Sequence, residues 1–309
     1  MQSCFDEVKK NFGFGCMRLP MKGKEVDFEE TSKMVDMFLA NGFNYFDTAH
    51  GYLDGQSEIA LKKCLTSRYP REAYILTNIS FHDKAEVLDQ ILTEYPQIEV
   101  VQIQFNYVDY EDTSVESRKC YEVCCKHGKP VIVMEPVKGG SLVNLPEDAQ
   151  KVLDGLHGGS NASYAIRFAA SFPGIRMVLS GMGSTEMMAD NCGFMKDFQP
   201  LTDKEQQAIG KVVEELEKLP TIPCTNCRYC VEGCPKQIRI PDIFGVYNMG
   251  VQFGVTDAAR GSYRCQIDGS GKAGDCIKCG KCEAQCPQHL EIRKLLEEAA
   301  DIYEKEMHL

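Results

Sequence analysis

Two runs of cysteine carry the clearest chemistry in the sequence. The first run consists of Cys224, Cys227, Cys230 and Cys234. The second consists of Cys276, Cys279, Cys282 and Cys286. Both follow the spacing C-x2-C-x2-C-x3-C, and a proline, Pro235 or Pro287, comes directly after each run. This spacing is typical of bacterial iron–sulfur proteins, and its two copies predict two [4Fe–4S] clusters.

The same spacing predicts which cysteines share a cluster. Three thiolates close together on one loop can each bind one corner of a cubane, whereas the fourth lies too far along the chain and reaches the other cluster. The first cluster is therefore assigned to Cys224, Cys227, Cys230 and Cys286. The second is assigned to Cys276, Cys279, Cys282 and Cys234. The alternative is zinc, which paired CxxC motifs also bind, but zinc has no use for three packed cysteines followed by Cys-Pro.

The composition is that of a large folded chain with an acidic surface. The chain has 309 residues, of which 43% are hydrophobic, and a net charge of −11. Residues 220–309 carry 11 basic and 12 acidic side chains, so nearly all of the negative excess lies in residues 1–219. This charge argues against nucleic acid or an anionic membrane as a partner.

The sequence predicts a cytoplasmic protein. It contains no apolar run of membrane-spanning length and no signal peptide. Sixteen cysteines in such a chain do not indicate disulfides. The eight that lie outside the two runs have no ligand spacing, and we interpret them as buried or incidental thiols.

Short apolar strands alternate with amphipathic helices over the first two thirds of the chain. Six predicted strands lie at residues 12–18, 44–47, 73–77, 100–105, 130–134 and 176–179. Helical spacing of apolar residues separates them, as at residues 27–41. This alternation predicts an α/β fold with parallel strands joined by crossover helices.

The chain is predicted to form two domains. A helix at residues 202–218 ends shortly before Pro220, and the composition then changes to the cysteine-rich segment. We therefore place one domain at residues 1–219 and a small α-rich domain at residues 220–309. A helix predicted at residues 291–307 closes the second domain.

Glycine-rich loops follow the last two predicted strands. The first loop is Val137-Lys138-Gly139-Gly140, and the second is Gly181-Met182-Gly183-Ser184, which opens a helix. Small residues let backbone N–H groups approach a phosphate, and a helix N-terminus favours negative charge. A phosphate site after the last two strands is typical of a (β/α)8 barrel, whereas the alternative is a pair of ordinary turns. No G-x-G-x-x-G follows an early strand, so a Rossmann site is not predicted.

A carboxylate and a phenol lie at the end of the second predicted strand. Asp47 and Tyr52 are five residues apart in the segment Phe46-Asp-Thr-Ala-His-Gly-Tyr52. At the mouth of a barrel, a tyrosine can act as a general acid towards a carbonyl oxygen. The alternative is a polar loop with a packed tyrosine.

These segments together resemble the aldo/keto reductase family, in particular its bacterial branch with a C-terminal ferredoxin-like domain of two clusters. The resemblance rests on Gly13-Phe-Gly15, Asp47-Thr-Ala-x-x-Tyr52, Gln102-Ile-Gln-Phe, Glu135-Pro-Val-Lys-Gly-Gly140, Ser180-Gly-Met-Gly and Asp190-Asn191. It implies a TIM-type (β/α)8 barrel that binds NADP or NAD. It also implies hydride or electron transfer between this cofactor and a small carbonyl substrate or the clusters.

The resemblance implies roles for individual residues. Tyr52 would donate the proton, and Asp47 would orient a catalytic lysine. The residues that bind the cofactor would be Ser80, Gln102, Val137, Lys138, Gly140, Gly181, Gly183, Ser184, Asp190 and Asn191. The choice between NAD and NADP is open, because Gly181 and Met187 stand where other members place basic contacts to the 2′-phosphate.

Part of the family's barrel is missing from this sequence. The family's lysine follows a stretch like Ile75-Leu-Thr-Asn78, but here Ile79-Ser-Phe-His82 follows, which resembles the end of the family's fifth strand. About two βα units, on the order of 60–70 residues, are absent between Asn78 and Ile79. The catalytic lysine and histidine are absent with them, and His82 and Lys84 are the nearest substitutes. Without the lysine, the carboxylate of Asp47 is expected to raise the pKa of Tyr52.

The gap leaves both the fold and the function with alternatives. Six strands cannot keep the circumference of an eight-stranded barrel, because strand number, tilt and shear are linked. The sheet could close as a smaller barrel, stay open with two unpaired edges, or pair these edges in an oligomer. The predicted function is an iron–sulfur oxidoreductase of the aldo/keto reductase type. The alternative is an impaired remnant that serves as an electron-transfer module for a redox partner protein or as a partner-binding module.

Overall fold

The computed structural model describes residues 7–49, 52–53, 55–77, 84–113 and 115–305. The chain divides into two compact units. The first contains Met1–Val143 and Leu153–Gly210, and the second contains Asn144–Val152 and Lys211–Leu309. No helix among the described residues is long and apolar enough to cross a bilayer.

A six-stranded sheet organises the first unit. Its strands are β1 (Phe12–Gly15), β4 (Tyr45–Asp47), β5 (Ile75–Thr77), β6 (Val101–Gln104), β7 (Val131–Met134) and β8 (Ile175–Gly181). Two further strands, β2 (Met21–Lys22) and β3 (Glu25–Val26), form a separate antiparallel hairpin. All five pairings within the main sheet are parallel, which confirms the six predicted strands and the α/β fold class.

The sheet does not close on itself among the described residues. The strand order is β5-β4-β1-β8-β7-β6, so β5 and β6 are its two edges and do not pair with each other there. This is the order of a barrel that has been opened between its third strand and the following one. The smaller closed barrel is therefore not formed by the described residues, while pairing of these edges in an oligomer stays a prediction.

The described chain forms eight α-helices between residues 28 and 217, and six of them lie wholly within the first unit. They are α1 (Phe28–Ala40), α2 (Gln56–Leu61), α3 (Ala85–Glu94), α4 (Ser117–Lys126), α5 (Glu147–Asp154), α6 (Asn161–Ala170), α7 (Thr185–Lys196) and α8 (Asp203–Glu217). Side-chain caps begin four of them: Asp27 caps α1, Ser160 caps α6, Ser184 caps α7 and Thr202 caps α8. Such caps satisfy N–H groups that have no partner inside the helix.

One predicted strand is longer than the observed one. The first strand ends at Gly15 rather than at residue 18, because Cys16–Arg18 form a 3-10 turn. On α3, Leu88 and Leu92 are buried, whereas Val87 is 38% exposed. Residues four apart lie on the same side of a helix, so Leu88 and Leu92 share the packed face and Val87 turns away.

Alternate residues of the strands contribute to two apolar layers. On one face, Phe12 and Phe14 pack against Phe38 of α1, with ring centroids 6.1 and 5.8 Å apart. On the other face, a smaller cluster is formed by Tyr45, Ile132, Met177 and Leu179. A Cβ atom at Gly13 would lie 2.8 Å from Leu179 Cδ2, so a larger residue there would displace side chains of this cluster.

The second unit is helical and contains both cysteine runs. Its helices are α9 (Tyr229–Glu232), α10 (Ile240–Phe253), α11 (Asp257–Ile267), α12 (Lys281–Ala284) and α13 (Ile292–Tyr303). The rings of Tyr263 and Tyr303 stack with centroids 5.0 Å apart and connect α11 to α13. This core confirms an α-rich second unit, while the boundary at residue 219 stays a prediction.

A buried ion pair fixes the start of α8 against α6. Arg167 donates from Nη1 and Nη2 to the two carboxylate oxygens of Glu205, at 2.8 and 3.0 Å. The two side chains are only 12% and 15% exposed. Burial acts to raise the pKa of Glu205, but hydrogen bonds from Arg167 and Thr202 outweigh it and leave this pKa lowered.

We expect Arg167→Gln to reduce the free energy of unfolding by about 2 kcal/mol, because it leaves a buried carboxylate without its cation. Denaturant unfolding followed by circular dichroism measures the change. The lowered pKa makes the pair stabilising above the unfolded pKa of about 4.3 and ineffective as pH falls through the folded pKa. The difference between parent and variant should therefore shrink as the pH falls below about 4.

Arg118→Gln is the matched control for this prediction. Arg118 pairs with Glu111 and Glu122, whose side chains are 66% and 57% exposed. Surface pairs of this kind contribute about 0–1 kcal/mol. Equal losses in the two variants, or a loss at Arg167 that does not depend on pH, would contradict the role given to burial.

Candidate functional site

Several predicted site residues lie at the carboxyl-terminal end of the parallel strands. Gly15 at the end of β1 lies opposite Asp47 of β4 on one side and opposite Gly181 of β8 on the other. Gln102 lies on β6, and Lys138 follows β7. Ser80, which was predicted to bind the nicotinamide amide, lies outside the described residues, and so does His82.

Asp47 and Tyr52 lie in a segment that is tied to the end of β1. The hydroxyls of Thr48 and Ser57 are 2.8 Å apart, and Ser57 Oγ donates to the carbonyl oxygen of Cys16 at 2.9 Å. Asp47 itself is only 3% exposed. These bonds hold the loop after β4 against the first strand and so position both predicted catalytic residues.

The surroundings keep Tyr52 protonated. Burial raises the pKa of Tyr52, and the charges of Asp47, Cys16 and Glu135 raise it further. The sequence predicted this direction. A phenol with a raised pKa can still give up a proton to a stronger base, but it is a weaker general acid than one whose pKa is lowered by a nearby cation.

Lys84, one of the two suggested substitutes for the catalytic lysine, is engaged elsewhere. It stands at the residue before α3 without a side-chain cap hydrogen bond, and its Nζ donates to the carbonyl oxygen of Thr113 at 2.9 Å. This contact lies on the exposed surface. The structure therefore gives Lys84 a role at the helix start.

Gln102 has a buried acceptor that no described group satisfies. Its side chain is 2% exposed, and its Nε2 lies 3.6 Å from the sulfur of Met134. Its Oε1 has no hydrogen-bond partner among the described residues. A buried polar atom without a partner is costly, so this oxygen fits a ligand that offers an amide N–H.

The loop after β7 uses several of its polar groups internally. The backbone N–H of Lys138 donates to Glu135 O, and that of Gly140 donates to Val137 O, both at 3.0 Å. The left-handed backbone at Gly139 and Gly140 makes these turns possible, with φ values of 65° and 97°. These two amides are thus engaged in the loop, so an anion would meet Gly139 and neighbouring side chains.

A buried carboxylate that the sequence analysis missed anchors this loop. Asp109 is 1% exposed and accepts from Gln104 Nε2 at 2.7 Å, from Asn106 Nδ2 at 2.6 Å and from Lys138 Nζ. The amine of Lys138 is therefore committed to Asp109. The available signal was the turn Asn106-x-x-Asp109 directly after β6, since asparagine commonly bonds to backbone groups in turns.

The loop after β8 is also partly engaged. The N–H of Thr185 donates to Glu30 Oε1 at 3.2 Å, and the N–H of Met187 donates to Ser184 Oγ at 3.3 Å. Asn191 bonds to Ser180 at 3.0 Å in a buried position. Asp190, in contrast, is exposed and accepts from Ser160 Oγ at 2.6 Å.

Arg18 is a second residue that the sequence analysis missed, and it lies between the two loops. A Cβ atom on Gly181 would lie 3.3 Å from Arg18 Cδ, and one on Gly139 would lie 3.3 Å from Arg18 Nη2. The arginine therefore runs across Gly181 and reaches Gly139. It is exposed and forms no ion pair with the described residues. The signal was a single basic residue directly after a glycine-rich first strand.

The two cysteine runs form two pockets in the second unit. One pocket is lined by Cys224, Cys227, Cys230 and Cys286. The other is lined by Cys234, Cys276, Cys279 and Cys282. The two pockets are similar in size. Each pocket thus combines three cysteines of one run with the last cysteine of the other.

The two pockets are built alike. In both runs the second cysteine is exposed and the third is buried. Short helices, α9 and α12, begin just before the third cysteine of each run. Among the described residues, no three His, Cys, Asp or Glu side chains converge on a position for a single metal ion.

Comparison with known proteins identifies both units. The model of the aldo/keto reductase family matches residues 11–79 and 77–214. A model described as a 4Fe-4S dicluster domain matches residues 223–291. The first match is broken at residues 77–79, where the sequence predicts the missing βα units. No curated protein matches the chain significantly.

Solved structures show the same fold for the first unit. The holo form of aldo-keto reductase AKR11C1 from Bacillus halodurans is 20% identical, with a TM-score of 0.50 over 66% of this chain and 92% of that chain. An aldo-keto reductase from Klebsiella pneumoniae in complex with NADPH is 12% identical, with a TM-score of 0.51 over 66% and 90%. An aldo/keto reductase from Klebsiella pneumoniae in complex with NADP and acetate is 12% identical, with a TM-score of 0.51 over 66% of this chain and 91% of that chain.

The family assignment follows from the extent of the first match. Its two segments span more than half of the chain and contain the whole six-stranded sheet. Together with the dicluster match, they support an oxidoreductase. The chain belongs to the aldo/keto reductase family and carries a C-terminal 4Fe-4S dicluster domain.

Proposed function

We propose that the chain is an iron–sulfur oxidoreductase that passes electrons between a nicotinamide cofactor and two [4Fe–4S] clusters. The observation that carries the proposal is the distribution of eight cysteines over two similar pockets. In this proposal the clusters are bound by thiolates and work in the reducing cytoplasm. Such clusters supply one-electron chemistry when bound.

The electron count fits two clusters. Oxidation of one reduced nicotinamide to its oxidised form would release two electrons and one proton to solvent. Two bound clusters, each a one-electron centre, would have room for both electrons. Two one-electron centres in one chain therefore match one nicotinamide.

The carboxyl-terminal end of the sheet supplies groups that suit the cofactor. The unsatisfied Oε1 of Gln102 can accept from the carboxamide N–H of nicotinamide. Arg18 offers a guanidinium, which binds phosphate well. The Klebsiella pneumoniae relatives were solved with NADPH and with NADP and acetate. Because Arg18 fills the space beside Gly181, we propose that it contacts the 2′-phosphate and that NADPH is preferred over NADH.

Carbonyl reduction is a second candidate, and the pair Asp47–Tyr52 favours it. Tyr52 is protonated and could give its proton to a carbonyl oxygen as hydride arrives at the carbon. The family's lysine and histidine have no counterpart in the sequence, so this activity would be weak. If neither cofactor binds, the remaining function is a ferredoxin-like electron-transfer or partner-binding module.

The pairing of cysteines across the two runs can be tested by substitution. We expect Cys286→Ala and Cys224→Ala to affect the same cluster, while Cys234→Ala affects the other, because the last cysteine of each run lines the opposite pocket. Iron and sulfide analysis should show a loss of up to about half in each variant. Electron paramagnetic resonance of the reduced proteins should give one residual signal common to the first two variants.

Cys125→Ala is the control, because Cys125 is exposed and lies in the first unit. It should retain all of the iron and both signals. The pairing is wrong if Cys286→Ala and Cys234→Ala leave the same residual signal.

The role of Arg18 can be tested by cofactor binding. We expect the cluster-loaded parent to bind NADPH at least about tenfold more tightly than NADH, and Arg18→Gln to remove most of this difference. A charged contact to phosphate is worth about 1.5–3 kcal/mol, which corresponds to roughly tenfold or more. Anaerobic fluorescence titration measures both dissociation constants.

Arg176→Gln is the matched control, since Arg176 is an exposed arginine near the opposite end of β8. It changes the net charge equally and should leave both constants unchanged. An equal loss of NADPH affinity in the two variants would show a general charge effect. No binding of either cofactor up to millimolar concentration would overturn the reductase proposal altogether.

Carbonyl reduction is tested with Tyr52→Phe. Because no cation lowers the pKa of Tyr52, we expect only a small loss of any carbonyl reductase rate, of about tenfold or less, and unchanged electron flow from NADPH to the clusters. The two rates are measured separately, by loss of NADPH with a simple aldehyde and by bleaching of cluster absorbance. A thousandfold loss of aldehyde reduction would show that Tyr52 remains an efficient general acid.

A further inference from the structure

The two cysteine pockets differ in the charges that surround them. The pocket of Cys276, Cys279, Cys282 and Cys234 is also lined by Lys236, Lys281 and Arg293. The pocket of Cys224, Cys227, Cys230 and Cys286 has Arg228 as its only basic lining residue. Arg228 is neutralised by Asp242, to which it donates two hydrogen bonds of 2.9 Å.

Much of the positive charge at the first of these pockets is not neutralised. Arg293 is paired with Glu283 at 2.8 Å, but neither Lys236 nor Lys281 forms an ion pair with the described residues. Lys278, beside Cys279, is 61% exposed, and its Glu297 partner, at 3.2 Å, is 62% exposed. Solvent screens such an exposed pair strongly, so the side chains of this surface keep a positive excess that offsets the negative charge of a thiolate-bound cluster.

The same surface exposes an apolar side chain and a predicted cluster ligand. Ile277 is 57% exposed, and Cys279 is exposed as well. We use the name Cys279 face for the surface formed by Lys236, Ile277, Lys278, Cys279, Lys281 and Arg293. An exposed apolar centre with charges around it is the usual composition of a transient protein interface.

The positive sign of this surface is local. The whole chain carries a net charge of −11, and residues 220–309 carry 11 basic and 12 acidic side chains. Four basic side chains and two acidic ones therefore stand out against a neutral domain and an acidic chain. Such a patch attracts a negatively charged partner to one place and orients it.

We propose that the Cys279 face is the docking surface for an acidic one-electron carrier protein. The inference rests on the proposed cluster bound by Cys234, Cys276, Cys279 and Cys282. One electron passes between the iron–sulfur or flavin group of the carrier and this cluster, so that one centre is oxidised and the other reduced by a single electron. No bond or proton transfer is needed.

Small charged oxidants test the docking face directly. The cluster-loaded full chain is reduced and mixed by stopped flow with anionic tris(oxalato)cobaltate(III) or cationic tris(ethylenediamine)cobalt(III). We expect Lys236→Gln/Lys281→Gln to slow oxidation by the anion at least about fivefold at low ionic strength and to leave oxidation by the cation unchanged or faster. Added salt should slow the anion's reaction with the parent and remove the difference.

Arg264→Gln/Lys305→Gln is the matched control. Both residues are exposed in the same unit, line neither cysteine pocket, and their replacement changes the net charge equally. Iron content and the resonance signals confirm that both clusters are present in every protein. If the control slows the anion as much as Lys236→Gln/Lys281→Gln does, only net charge matters and the docking face is refuted. Missing clusters would instead refute the proposed function.

Binding without electron transfer gives a second readout. An acidic [2Fe–2S] ferredoxin is titrated calorimetrically into the oxidised, cluster-loaded chain at low ionic strength. We expect the ferredoxin to bind to the parent and to the control. For Lys236→Gln/Lys281→Gln we expect a dissociation constant at least about fivefold larger. Equal binding to all three proteins, or no binding to the parent, overturns the proposal.

Discussion

The pairing of β1 with both β4 and β8 holds the shortened sheet together. A barrel that loses two βα units loses the pairings that would close it on one side, so its first and last strands must keep the remaining halves in register. The parallel pairs Gly15–Asp47 and Gly15–Gly181 do this at the carboxyl-terminal end of the strands. Because these three strands are in register, the end of β1, the predicted catalytic carboxylate and the start of the loop after β8 lie side by side. In the described part of the chain, the two outer strands of the open sheet, β5 and β6, are not part of this pairing.

This geometry also explains why the site is only partly preserved. Groups supplied by β1, β4, β7 and β8 remain together, and Arg18 reaches across Gly181 to Gly139. The lysine and histidine that the family resemblance implies are predicted to be missing from the sequence, and the influences on the pKa of Tyr52 all raise it. A cofactor site can survive such a loss, because phosphate and amide contacts are spread over several loops. A proton-transfer site cannot, because it depends on one cation placed beside one phenol.

The sequence predicted those features that depend on spacing along the chain. The six strands follow from short apolar segments between helical ones. The position of Cys234 and Cys286, each in the pocket of the other run, follows because three cysteines of one loop can bind one cluster and the fourth lies too far along the chain. Features that depend on where side chains meet across strands were missed. Arg18 and Asp109 belong to this class, since nothing in the local pattern shows that one lies over Gly181 and the other binds Lys138. Helices α10 and α11 were missed because the cysteine spacing on both sides says nothing about the segment between.

The predicted cluster ligands and the predicted proton-transfer residues are distributed differently along the chain. The cluster ligands all lie in one segment, within the match at residues 223–291, and most ligands of each pocket come from a single loop. The residues that the family resemblance implies for proton transfer come from separate strands, so a missing βα unit would take its residue with it. The break in the family match at residues 77–79 lies in the first unit and leaves the cysteine segment whole. The two cysteine pockets are for this reason the place where the structure brings together every ligand that the sequence predicts.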